Sequence, residues 1–170
     1  MELIESVERG LLEDWTLAFP PAQVALCALE GGDVIRETSL VAAKVSRKKN
    51  TCVVQTYLAA GAAAREYTDA PDTVVFSPLR QGQVASYDAV AFLLRSFLCR
   101  LRPGFRLPKP VLCLRIQEQA TEVERIALVD AGIQAGAGKV LLYQGSLSAL
   151  REAAAGRRDL RRALACHIEI

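Results

Sequence analysis

Five arginines crowd one stretch near the end of this sequence: Arg151, Arg157, Arg158, Arg161 and Arg162. Such a cluster attracts an acidic protein or a phosphate-bearing surface by charge alone. No aromatic residue interleaves the run, so it lacks the stacking platform that single-stranded nucleic acid uses. Its expected roles are a solvated helix face or a contact for an acidic partner; no nucleic acid is expected, and a membrane only peripherally. Thr121-Glu122-Val123-Glu124 offers two carboxylates, but a threonine three residues before a glutamate is the reciprocal capping box of a helix start. Gly136-x-Gly138 follows a helical pattern rather than opening one, which excludes a dinucleotide fingerprint. His167, the only histidine, has no serine or aspartate arranged for a triad, and adjacent Cys166 gains no base from mere adjacency. It reads as an incidental residue near the end. The five cysteines are odd in number, lie far apart and form no C-x-x-C pair, so metal and redox motifs are unsupported. Cys27, Cys52 and Cys113 lie in apolar strand-like runs, where a free thiol acts as a small buried hydrophobe. This usage suits a reducing cytoplasm.

These side chains must be positioned by one domain. The chain has 170 residues, 51% of them hydrophobic, enough for a single core. Twenty-one basic against 19 acidic residues leave a formal charge of +2, too little for a global field. No apolar run approaches a membrane span, and MELIESVERG has neither the basic start nor the unbroken apolar stretch of a secretion signal.

Leu3, Ile4, Val7, Leu11 and Trp15 recur at helical spacing among Glu2, Glu5, Glu8, Arg9, Glu13 and Asp14, predicting an amphipathic helix over 1–16. Membrane-surface helices favour lysine and arginine on the polar face, whereas this face is acidic, so packing on the domain itself or on a partner is expected. Residues 17–170 read as one domain. Gln23 to Leu29, Val34-Ile35, Leu40 to Val45 and Thr51 to Tyr57 read as strands of a meander, with a basic turn at Arg47 to Asn50. Leu58 to Tyr67 is alanine-rich and expected to be helical, and short strands follow at Thr73 to Phe76 and Gln83 to Ala85. Asp88 opens a helix, as its cap or first-turn residue, whose buried face is Val90, Leu93, Leu94 and Phe97. Pro110 to Leu114 reads as a strand covered on both sides. The helix capped by Thr121 carries Val123, Ile126, Val129 and Ile133 in one sector, expected to pack on the sheet, and Gly136 and Gly138 supply its left-handed end. Lys139 to Tyr143 is expected to be the last strand, with two short helical pieces after it. This order implies an α/β layer structure with a mixed sheet.

Three blocks resemble the first half of the MreB/Mbl family of bacterial actin-like proteins: Ser77 to Leu98, Thr121 to Leu142 with the strand before it, and Gly32 to Val45. The resemblance runs over about residues 18 to 155. It implies an RNase H-like fold, the first domain of an actin-like ATPase, with helices on both faces of a mixed sheet. It also implies ATP and magnesium, held through an Asp-x-Gly-Thr hairpin whose carboxylate organises the metal. The register puts Ala18-Phe19-Pro20-Pro21 there, where alanine cannot organise a metal and proline has no N–H for a phosphate. The family's water-positioning acid falls among Leu142-Tyr143-Gln144-Gly145, where only Gln144 can orient a water. Gln81 and Ser86 stand where the family has aspartates, and Arg115 to Ala120 is longer and more polar than the family's Pro-Ser-Gly-Ile link. The sequence stops at Ile170, before the family's second half.

The resulting expectation is a non-catalytic, half-length actin-like domain in the cytoplasm, without a cofactor, that works in cell-shape organisation by contact with a protein, either an MreB-like filament or itself. The alternatives are a nucleotide-binding ATPase completed by self-association or another chain, and an adaptor that binds an acidic partner or nucleic acid through the arginine patch.

Overall fold

The computed structural model describes residues 23–29, 31, 34–48, 51–80, 83–101 and 109–169. The expected helix over 1–16 and the hairpin at Ala18 to Pro21 lie outside these residues. The meander gives β1 (Gln23–Ala28), β2 (Val34–Thr38), β3 (Val41–Lys48) and β4 (Thr51–Ala60). A 3₁₀ segment, Gly61–Tyr67, leads to β5 (Thr73–Phe76) and a small hairpin of β6 (Leu79–Arg80) and β7 (Gln83–Val84). Then come α1 (Tyr87–Leu101), β8 (Val111–Arg115), α2 (Glu122–Gln134), β9 (Lys139–Tyr143), α3 (Leu147–Ala154), a 3₁₀ turn at Arg158–Leu160, and β10 (Leu164–Glu169).

The main sheet has the order β2-β1-β10-β8-β9. β10 pairs antiparallel with β1, and parallel with β8, which pairs parallel with β9. The expectation that Lys139 to Tyr143 is the last strand is therefore corrected. Leu164 to Glu169 forms the central strand, with the His167 backbone opposite Ala25. Its short run, LACHIE, has only a brief apolar signal, and its pairing is entirely long-range.

Alternation along the strands sends side chains to two covered faces. Val24, Leu26, Leu112, Leu114, Leu164 and Cys166 face α1 and α2. Cys27, Cys113, Tyr143 and Ala165 face the other way, toward Leu147, Leu150 and Leu160 of the α3 region. The mixed sheet with helices on both faces agrees with the sequence reading. A second sheet, β4-β3-β5, covers the far side of α1, where Tyr57 stacks on Phe92 with ring centroids 5.2 Å apart. The expected α1 face of Val90, Leu93, Leu94 and Phe97 is buried throughout. Its cap is Ser86, whose Oγ accepts from the Ala89 N–H at 3.3 Å, while Asp88 occupies the first turn. Leu58 to Ala60 continue β4 rather than beginning a helix.

α2 follows its expected ends but not its expected face. Thr121 Oγ1 accepts from the Glu124 N–H at 3.3 Å, and the Glu124 carboxylate accepts from the Thr121 N–H at 2.7 Å, completing the capping box. At the other end Gly136 takes φ +109°. The Ala137 N–H donates to Gly132 O and the Gly136 N–H to Ile133 O, the paired bonds of a Schellman motif. Gly138 has no positive φ. Yet Val123, Ile126 and Ile133 are 75%, 55% and 46% exposed, and the sheet is met instead by Leu128, Ala131, Gly132 and Ala135. Close approach selects this face: a Cβ on Gly132 would stand 2.6 Å from Val140 Cγ2, so the helix lies too near the sheet for branched residues to fit between them.

Two polar links tie the layers. Buried Ser39 donates to Ser77 Oγ at 2.7 Å, and Ser77 passes the chain on to Leu79 O at 2.7 Å. Glu37 of β2, 15% exposed at its side chain, accepts from the Ala62 N–H at 2.7 Å and from Arg100 of α1 at 2.5 Å. Gly61 beside it takes φ +73°, a backbone conformation that L side chains rarely adopt, and a Cβ there would also displace the carboxylate. Burial pulls the Glu37 pKa up, but the Ala62 hydrogen bond and the Arg100 guanidinium together leave it below its ordinary value.

Two outcomes follow from these contacts. Gly132→Leu should cost roughly 1–3 kcal/mol by overpacking, measured by urea denaturation, and an unchanged midpoint would contradict the close approach. A lowered folded pKa makes the Glu37 contribution fully present above the unfolded carboxylate value near 4.3 and lost as pH falls through the folded value. Glu37→Gln should therefore destabilise by about 1–2 kcal/mol at pH 7, and its stability should converge with that of the parent chain in acid.

Candidate functional site

The three parallel strands end together on one side of the sheet. Ile116, just past β8, donates its N–H to Tyr143 O at 2.9 Å, which holds the ends of β8 and β9 in step. Beyond β8 the polar linker from Arg115 to Ala120 bends away, braced by Arg125 Nε donating to Ala120 O at 3.2 Å. The space left between this linker, the β6–β7 hairpin and the starts of α1 and α2 is a cleft of about 190 Å³. Leu79, Val84, Ile116 and Leu128 give it apolar walls, and Tyr87, Arg115, Gln117 and Glu124 give it polar groups. Crevices at the carboxyl ends of parallel strands are where open α/β sheets hold ligands. Burial, with the nearby Glu124 carboxylate, raises the Tyr87 pKa, so the phenol remains a neutral donor. Glu124 is held below its ordinary value by hydrogen bonds from the Thr121 backbone and hydroxyl.

Gln144 lies at this end of the sheet, exposed, immediately after β9. It does not line the cleft. Among the described residues no group of three histidine, cysteine, aspartate or glutamate side chains converges as a metal site. The carboxylate in the cleft, Glu124, is already engaged by Thr121. Among the residues lining the cleft no second carboxylate joins Glu124 to hold a magnesium ion.

The arginines lie at the opposite end of the strands. All five are exposed, on α3 and on the turns that lead into β10. Arg157 holds Asp159 through two bonds, at 3.2 and 2.7 Å. The field of Lys139, at the start of β9, also reaches Asp159 and helps to lower its pKa. Lys139 thus joins the basic surface across the strand ends, a neighbour that sequence distance concealed.

The thiols have no exposed constellation. Cys27, Cys113 and Cys166 are buried, Cys52 is half-buried and Cys99 is exposed. Burial pushes Cys166 up to about 12 and raises Cys113, keeping both as thiols. Cys166, not Cys52, completes the buried set.

The remaining candidate is the outer face of α2. Val123, Ile126 and Ile133 are three of the four exposed large apolar side chains among the described residues, the fourth being Leu58. Their spacing was legible in the sequence; their direction depended on the small residues Ala131, Gly132 and Ala135 behind them.

Two solved structures of MreB5 from Spiroplasma citri, one bound to ADP and one to AMPPNP, resemble this fold, with TM-scores of 0.54 and 0.55. Each is 26% identical to this chain, and each match covers 74% of this chain but only 36% of the other. No curated protein matches significantly. The architecture is that of an actin-like domain. The profile of the MreB/Mbl protein family matches residues 16–156, most of the sequence, and the chain belongs to that family.

Proposed function

We propose that this domain acts without catalysis, by protein–protein contact in cell-shape or cytoskeletal organisation, and that its contact face is the outer side of α2. The observation that carries this reading is the solvent-facing row Val123, Ile126 and Ile133 on a well-capped helix. A contiguous exposed apolar patch marks an interaction site more often than chance exposure does. The partner is an MreB-like filament or a second copy of the chain, in the cytoplasm.

The non-catalytic part rests on chemistry. Family membership raises the expectation of nucleotide turnover, and the MreB5 relatives bind ADP and AMPPNP. Ala18 and Pro20-Pro21 supply neither the carboxylate nor the N–H groups that turnover would need. Gln144 stands apart from any described acid cluster. The exposed arginines favour a second contact, for an acidic protein surface, whose strength would fall as salt rises.

Calorimetry with ATP and magnesium should show no micromolar binding by the purified chain, and such binding would restore the ATPase reading. In co-sedimentation with MreB-like filaments, the parent chain should pellet and Val123→Asp should remain in the supernatant. Because Val123 is a surface position, that variant should keep its fold, with a stability change of no more than about 0.5 kcal/mol. Pelleting of both proteins alike would sink the α2 reading.

A further inference from the structure

We infer that the outer face of α2 is built for a basic amphipathic helix of another protein, one whose apolar row meets Val123, Ile126 and Ile133 and whose lysines or arginines flank that row. This rests on α2 being the contact face and adds the chemistry of what docks there. Successive residues of a helix turn by about 100°, so positions three and four apart share a face. Ile126 is therefore bracketed by Glu122 on one flank and Asp130 on the other, and both acids are exposed. The row from Val123 to Ile133 runs for about 15 Å, close to three turns. The other charges of the helix are engaged elsewhere. Glu124 closes the capping box with Thr121. Arg125, the only base between residues 118 and 134, ties its Nε to Ala120 O. The open face is thus acidic as well as apolar, on a chain whose overall formal charge is +2.

A second copy of the chain is a poor match on both of its candidate surfaces. A two-fold pairing of α2 with α2 centred on Ile126 sets Glu122 against the other copy's Asp130, twice, and like charges at neighbouring helix positions repel. The arginine end of a second copy has the right sign but lacks the apolar half. Among the described residues the exposed large apolar side chains are Leu58 on β4 and the three on α2, and none is at that end. A basic amphipathic helix supplies both halves. Its apolar ridge packs against the row on α2, and the stems of its lysines or arginines cover the edges of that row while their charged heads reach Glu122 and Asp130. Charges at the rim of such a contact decide which partner docks more than how tightly it holds.

Two labelled helical peptides of about fourteen residues, long enough to span the row, test this. They share one leucine row and differ only in its flanks, lysine in one and glutamate in the other. Fluorescence anisotropy with the intact chain should show the lysine peptide binding and the glutamate peptide about tenfold weaker, as expected of a few exposed charge pairs. The gap should close as salt rises. The double variant Glu122→Lys, Asp130→Lys should exchange the order of the two peptides. If lysine in the first turn of α2 loosens the fold, Glu122→Gln with Asp130→Lys is the second variant, and it should remove the preference for lysine. Ile126→Ser should weaken both peptides alike. Two peptides bound equally, or a lysine peptide indifferent to the charge reversals, would overturn the basic partner, and α2 would remain a contact face if Ile126→Ser still weakened both. Failure of both peptides to bind would also overturn it, and co-sedimentation of the parent chain against Val123→Asp then decides separately whether α2 is a contact face at all. A dimer in sedimentation equilibrium that Ile126→Ser breaks would give the face to a second copy and overturn the inference.

Discussion

Helix α1 is the element that both sheets need. Val90, Leu93, Leu94, Phe97 and Leu98 are all but inaccessible, and they share one core with Leu26 and Leu112 of the main sheet and with Val41, Ala43 and Phe76 of the smaller one. On the main sheet α1 shares that face with α2. The Glu37–Arg100 pair is the polar counterpart of this arrangement, fixing the end of α1 to the edge strand and to the 3₁₀ segment. With α1 held between the sheets, α2 packs beside it at a distance set by glycine and alanine.

That distance divides α2 into a structural side and a side open to partners. A helix approaching a sheet closely needs small residues at the contact, and Ala131, Gly132 and Ala135 supply them. Larger residues on the same helix then have only solvent or another surface to meet. The resemblance to actin-like proteins is thus carried by the parts that build the layers, whereas the cleft at the strand ends holds one engaged carboxylate, Glu124, beside Arg115, Tyr87 and the amides of Gln117 and Gln119.

Much of this was readable in the residues. The α1 stripe, the capping box, the strand at Val111 and the two-faced sheet follow from periodicity and from cap chemistry, which are local. Three features were not. The face of α2 does not follow from apolar size, because the decisive fact is a glycine opposite Val140. β10 escaped because its partners on β1 and β8 are distant in sequence and its apolar run is brief. The cleft and the contribution of Lys139 arise where separate strand ends meet, and no single stretch of sequence contains them.

The position of β10 also bears on how the domain comes into being. β1 emerges early in synthesis, but its neighbour on the inner side is Leu164–Glu169. At a ribosomal pace the wait is on the order of ten seconds. Through that interval Val24 and Leu26 sit on a strand with one open edge, and loop closure over the intervening chain must precede any gain from the centre of the sheet. The centre of the main sheet can therefore close only after β10 has been made.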